Sequence, residues 1–366
     1  MPRRFHLLLQ LAWLATLAGA TPSAGAQISA RAAPGATTVA TPAVKLRVVG
    51  GLAGINQYEL HERPFWTQEL ARLSGGRYSA DIVAFDQAGV PGAEMARLMR
   101  LGVVSFGTVL ISALSAQYPE YAAVDLAGLN PDMASLRATV AAFRPFLEKD
   151  LRERHGIEPL AVYVYPAQVL FCKKPLARLS DLAGRRTRVS SAGQADFIEA
   201  LGGTAVRTTF AQTLSSLESG HSDCAITGSL SGLTLGLYRV TQYLYPYPVN
   251  WGLAVFGANK AAWEGLPGDL RQLLARELPR LEERIWTAAG SDTAQGLACN
   301  TGAPACEQAR KGRMALVPLS SQDEQQRRTI LTNTVLPRWL QRCSMDCAAL
   351  WNRTIGAARG IALPQR

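Results

Sequence analysis

The chain has 366 residues, 48% of them apolar, which is long enough for two lobes around sizeable cores and too apolar for a disordered chain. The formal net charge is +10, but the basic residues are scattered and nowhere denser than pairs such as Lys173-Lys174, Arg185-Arg186 and Arg327-Arg328. A nucleic-acid binder would show a basic stripe with interleaved aromatics, so nucleic acid is not an expected partner, and the charge reads as a solvated surface that mildly steers anions.

Residues 1–26 read as a secretory signal. Arg3 and Arg4 supply the positive end, Leu7 to Leu17 the apolar stretch, and Ala24-Gly25-Ala26 a small-residue cleavage site, with Ala18-Gly19-Ala20 as an alternative cut. The apolar stretch is too short for a spanning helix, and no later run approaches the roughly 18 apolar residues that a span needs. No cysteine follows the cleavage site, so lipid anchoring is not indicated. The expectation is a soluble exported protein, cleaved after about Ala26, with a flexible Ala/Thr/Ser/Pro leader over 27–43.

A first lobe then opens with the strand Leu46 to Val49 running into Gly50-Gly51. A helix from about Tyr58 carries Phe65, Trp66, Leu70 and Leu73 on one face. Tyr78 to Phe85 alternates as a strand, Ala93 to Leu101 is a helix stopped by Gly102, and Val103 to Thr108 is a third strand. A helical region from Asp132-Met133 to Arg154 leads to the strand Leu160–Tyr165, which with Leu253–Phe256 is a candidate crossing between lobes. In the second half, a short strand ends at Arg188-Val189, and a helix carries Phe197, Ile198 and Leu201 to Gly202-Gly203. The strand Ala205-Val206, a helix from Ala211 to Ser219 and the strand Ser222 to Thr227 follow. Both halves therefore read βαβαβ, the order of a parallel α/β unit. Ala261 to Leu297 is helical with breaks at Pro267 and Pro279, the latter a kink inside an otherwise helical run. Met314 to Val317 is a strand, and Ser321 to about Trp351 is helix interrupted at Pro337.

The fold expected from these elements is α/β, with two similar lobes and a cleft between them. Lobe 1 spans 44–165 plus about 251–290, and lobe 2 spans 166–250 plus about 291–366. Open parallel sheets place ligands at the carboxyl ends of their strands, and Arg188 sits at such an end.

Several stretches carry a family resemblance. They are Gly75-Gly76-Arg77 with Phe85 and Gln87; Glu94, Leu98 and Gly102-Val103-Val104-Ser105-Phe106-Gly107; and Leu179 to Val189 (LSDLAGRRTRV). Leu214 to Asp223, Tyr243-Leu244 and Trp263 to Pro267 add to them. Together they resemble the DctP-like substrate-binding proteins of TRAP (tripartite ATP-independent periplasmic) transporters over about Leu46 to Val335. The resemblance implies a two-lobe clamshell, each lobe a mixed sheet flanked by helices, with a long kinked helix linking the lobes. It also implies a monomer that hands an organic acid to small and large integral-membrane permease subunits. The arginine matching Arg188 salt-bridges the ligand carboxylate in that family. A guanidinium fork fits a carboxylate bidentately where lysine offers a point charge.

Departures from the family pattern shape the expected ligand. The start of the second lobe, Tyr165-Pro166-Ala167-Gln168, lacks a second arginine, Thr227 stands in place of an asparagine, and Ser105 in place of an aspartate. These weigh against dicarboxylates and sialic acid and toward a monocarboxylate with an apolar or aromatic body. Phe210, Tyr245, Trp251 and Phe171 are the candidate apolar lining, and Gln87, Gln168, Asn250 and Thr227 the candidate hydrogen-bonding groups. No cofactor or metal is expected. Catalysis is not expected either, since His221-Ser222-Asp223 on one strand point to opposite faces and no nucleophile elbow or zinc motif occurs. A ligand-sensing exported protein that feeds a sensor would use the same cleft.

Six cysteines fit an oxidising compartment. Cys299 and Cys306 flank a Gly- and Pro-containing loop that suits a small bridge. Cys343 and Cys347 pair across an unwound turn or reach Cys299 and Cys306, and Cys172 and Cys224 pair or stay as buried thiols.

Overall fold

Strands that alternate or run apolar between glycine stops collect into two sheets in a computed structural model, which describes residues 44–343 and 345–364. The expected signal segment and leader lie outside the described residues. The first sheet contains β1 (Val44–Val49), β2 (Tyr78–Val83), β3 (Phe106–Leu110), β4 (Ile157–Val164) and β10 (Leu253–Asn259), in the order β2-β1-β3-β10-β4. The second contains β5 (Gln168–Cys172), β6 (Arg186–Val189), β7 (Thr204–Arg207), β8 (Cys224–Gly228), β9 (Tyr243–Asn250) and β11 (Ala315–Leu316), in the order β11-β9-β5-β8-β6-β7. Each sheet holds a parallel trio with its first strand in the middle, β2-β1-β3 and β7-β6-β8. An antiparallel strand closes each trio, β10 against β3 and β5 against β8. The two βαβαβ halves are thus built alike.

The chain passes between the sheets at Tyr165–Ala167, after β4, and at Trp251–Gly252, before β10. The strands expected to cross stay within the first sheet, and the short connectors beside them make the passage. Gly252 lies at φ +84°, a left-handed conformation that glycine adopts without steric cost, and it lets β9 turn sharply into β10.

The helix α1 (Met133–His155) starts at Asp132, whose side chain accepts a hydrogen bond from the Ser135 N–H at 2.7 Å, and it buries Leu136, Val140, Phe143, Leu147 and Leu151. In the second half, α2 (Ala192–Ala200) follows β6 and α3 (Ser229–Leu235) follows β8. The long α4 (Gly268–Thr301) packs its first half on β4 and its second half on α3 and β9, and so links both sheets. The expected break at Pro267 is present, where the proline caps the start of α4, and the chain stays helical through Pro279. Leu270, Leu274, Leu278, Leu281 and Ile285 are buried on both sides of the proline, and that packing outweighs one missing backbone hydrogen bond.

Two other expectations shift. The third strand begins at Phe106 and not at Val103, because the Val103 and Val104 N–H groups turn back to the Leu98 carbonyl and Val103 is left exposed. The C-terminal helix α5 (Ser321–Ile330) is not broken at Pro337. A wide turn over Leu331–Val335 precedes α6 (Leu336–Arg342), so the proline falls in the first turn of α6, where no donor is needed. The chain leaves the helix at Cys343 and resumes at α7 (Cys347–Trp351). Disulfides join Cys172–Cys224, Cys299–Cys306 and Cys343–Cys347. Cys343 and Cys347 pair with each other, four residues apart, and Cys172 pairs with Cys224 across 52 residues, tying β5 to β8.

Candidate functional site

A cavity of about 660 Å³ lies between the carboxyl ends of the two parallel trios and takes its lining from both sheets. Arg188 is its most unusual group. The β6 strand is buried from Thr187 to Val189, so its guanidinium is drawn inside with only 2% of its surface exposed. Nε donates to Thr208 Oγ1 (3.1 Å), Nη1 to the Ile226 carbonyl (2.9 Å) and Nη2 to the Thr208 carbonyl (3.0 Å). All three acceptors are neutral, and two of the five guanidinium N–H groups remain unassigned. Among the described residues no carboxylate lies within 4.0 Å of it, whereas Arg186, two positions earlier, is paired with Asp223 at 3.0 Å. Burial without a counter-charge pulls the Arg188 guanidinium down to about 10.

Asp125 faces the same cavity. It ends the helical turn Pro119–Asp125, and its carboxylate grips the second crossing between the sheets. Oδ1 accepts from the Trp251 N–H (3.0 Å), and Oδ2 accepts from the Gly252 N–H (2.8 Å) and from Asn250 Nδ2 (2.8 Å). Burial pushes Asp125 up to about 6, while those three donors pull it the other way. Asn250 is held in turn by Gln194 Nε2 (2.8 Å). Gln194 Oε1 accepts from the backbone N–H (2.7 Å) and the hydroxyl (3.1 Å) of Ser190. A continuous polar chain thus runs from Ser190, just past Arg188, to the crossing at Gly252. Asp86 and Arg207 also line the cavity, but both are solvent-exposed at its rim.

Of the residues singled out from sequence, Arg188, Thr227, Phe210, Gln168 and Asn250 line this cavity together. Gln168 is anchored by donating to the Trp251 carbonyl (3.1 Å). Four do not line it. Gln87 is exposed, because the turn Phe85–Gln87 points its first two residues at the cavity and its third at solvent. The Trp251 indole is buried and donates to the Asn130 carbonyl (3.0 Å), so only its backbone serves the site. Tyr245 is buried in the second sheet opposite Leu170. Phe171 is fully buried under α3, where its ring occupies the space a Cβ on Gly232 would need. Sequence reasoning missed Asp125, Gln194 and Ser190, and also the aliphatic lining Leu52, Val90, Leu110, Ile111 and Leu126. The one local signal was an acid set between apolar residues in Val124-Asp125-Leu126.

Below the first sheet's side of the cavity, Glu62 is fully buried. It accepts from the Gly51 N–H (2.9 Å) and from Gln57 Nε2 (2.7 Å), which fixes the loop that carries Leu52. Burial pushes its carboxyl up to about 7.

Two mixed α/β sheets joined by short crossings, with a buried cation facing the cleft between them, define a bilobal solute-binding receptor of the clamshell class. The chain belongs to the DctP family, bacterial extracellular solute-binding protein family 7, whose profile matches residues 56–335. No curated protein matches it. Among solved structures, DctP7 of Bordetella pertussis, an extracytoplasmic solute receptor binding pyroglutamic acid, superposes with a TM-score of 0.75 at 21% identity. That match covers 85% of this chain and 99% of the receptor. A TRAP periplasmic solute-binding protein from Desulfovibrio salexigens with bound orotic acid gives 0.75 at 17% identity, covering 87% and 99%. An apo open structure from Marinobacter aquaeolei gives 0.69 at 22% identity, covering 86% and 100%. Among the described residues no helix is long and apolar enough to cross a membrane.

Proposed function

We propose that this protein captures an organic acid between its lobes and delivers it to the small and large membrane subunits of a TRAP transporter. The observation that carries the reading is Arg188, a buried guanidinium with neutral anchors, unassigned donors and no acid beside it. A charge in that position is expensive to bury unpaired, and an incoming carboxylate supplies the missing partner. Pyroglutamic acid and orotic acid, bound in two of the similar structures, each carry such a carboxylate.

The lobes are 44–165 with about 251–290, and 166–250 with about 291–366. They close by bending at the crossings, and the closed form presents the surface that the permease reads. The receptor works as a monomer in the periplasm after cleavage at about Ala26. A monocarboxylate with an apolar body fits the lining, in which Leu52, Phe85, Val90, Leu110, Ile111 and Leu126 face the cationic side. Native mass spectrometry of the protein as purified tests the reading. A co-purified carboxylic acid is expected, and a neutral or cationic molecule in its place overturns it.

A further inference from the structure

Arg188 is not the only lone charge in the cavity. Asp125 lines it as well, with no Lys, Arg or His within 4.0 Å among the described residues, and its donors are two backbone N–H groups and one neutral amide. A carboxylate offers about four lone-pair positions. Three are filled, two of them on Oδ2, so the vacancy is on Oδ1. The two rim charges, Asp86 and Arg207, are exposed and hydrated and do not need a ligand to balance them. Arg188 and Asp125 do not pair with each other. The cavity therefore holds one buried cation short of an acceptor and one half-buried anion with room for a further donor.

We infer that the ligand carries an N–H donor as well as its carboxylate, as an ammonium, amide or lactam, so that the carboxylate seats on Arg188 and the N–H on Asp125 Oδ1. The inference rests on the carboxylate reading and adds a second point of recognition to it. The class of solute is then an amino acid or an N-acyl or lactam derivative of one, with an apolar remainder facing Leu110 and Leu126. Asp125 is already committed to the crossing at Trp251 and Gly252, so a ligand bound to it also contacts the segment about which the lobes bend. Recognition of the N–H group and closure thereby share one carboxylate. A site that bonds a substrate N–H rejects an analogue lacking it, because the buried acceptor is left unpaired.

The test is calorimetry and thermal shift on the mature protein with matched acids that differ only at nitrogen. The pairs are L-pyroglutamate against 5-oxotetrahydrofuran-2-carboxylate, L-proline against tetrahydrofuran-2-carboxylate, and L-phenylalanine against 3-phenylpropanoate. The nitrogen member of at least one pair should bind roughly tenfold or more tighter than its partner. Asp125→Asn should bring that ratio close to one. If that variant does not fold, the ratios on the natural protein still decide. Equal binding within every pair that binds, with dependence on Arg188 retained, overturns the second recognition point and leaves the carboxylate reading standing. Silence across all six acids counts against both.

Discussion

The two sides of the cleft are built on similar sheets and lined differently. On the first sheet's side most of the lining is apolar, with Leu52, Phe85, Val90, Leu110, Ile111 and Leu126 around Asp125; on the second sheet's side most of it is polar, with Arg188, Ser190, Thr208, Thr209, Gln212 and Thr227 beside Val189 and Phe210. They also differ in what braces them. The second side has the Cys172–Cys224 bridge between β5 and β8, and β8 is the strand that supplies the Ile226 carbonyl to Arg188. The first side leans on the buried Glu62 carboxylate that fixes the Gly51-Leu52 loop. Most of the polar lining thus sits on a covalently tied frame, and most of the apolar lining on one held by a group that titrates. A solute with an acid head and an apolar body is satisfied only when both sides reach it, which is a physical reason for the lobes to close.

The largest expected effect comes from removing the head contact. Arg188→Ala should weaken binding of the co-purified acid by roughly 2–5 kcal/mol, the loss typical of a buried charge-assisted pair. The melting temperature should hold or rise, because an uncompensated buried charge has been removed. Calorimetry that finds unchanged affinity breaks the assignment of the polar side. The brace comes next. The Cys172–Cys224 bridge closes a loop of 52 residues, for which the chain-entropy account gives about 4 kcal/mol. The Cys172→Ala, Cys224→Ala double variant should lose stability of that order in urea unfolding while an intact cleft still binds. The Cys299–Cys306 bridge spans only 7 residues and should contribute about half as much.

The first side's support should show itself through pH. The Glu62 carboxyl is raised in the folded protein from its ordinary value of 4.5 to about 7. The folded state therefore binds this proton more tightly than the unfolded chain does. The stability this supplies is fully present below about pH 4.5 and is lost as pH rises through 7, a change of roughly 3 kcal/mol from this group alone. Asp125, raised from 3.8 to about 6, acts in the same direction over a lower window. Melting temperatures at pH 5 and pH 8 should differ less in Glu62→Gln than in the natural protein. An unchanged difference would mean that the loop does not depend on a titrating group.

Local signals exposed the frame, and long-range ones built the site. The order of strands and helices was legible because alternation, helical spacing and glycine stops act within a few residues. Arg188 was legible because its strand and flanking turn form one short motif. Asp125 was not legible, because its work is done on Asn250, Trp251 and Gly252, which lie 125 to 127 residues away along the chain. Trp251, Tyr245 and Phe171 were misplaced for a different reason. Large aromatics next to a ligand-bearing strand serve the core as readily as the cleft, and their burial depends on what packs behind them, such as the bare Gly232 over Phe171. Glu62 was missed because nothing nearby in sequence marks a carboxylate that is to be buried.

The smallest expected effect tests the apolar side directly. Leu110 ends β3, lines the cavity and is only partly buried, so shortening it opens space next to the ligand more than it hollows the core. Leu110→Ala should reduce affinity for an acid with an apolar body by about 1–2 kcal/mol, the scale of losing part of a buried leucine contact. A compact acid that fills only the Arg188 end should be affected much less. The ratio of the two affinities is therefore the informative quantity, since a general loosening of the lobe would lower both together. If the ratio does not move in paired titrations, the body of the ligand rests elsewhere, and the division of head and body between the two sides fails.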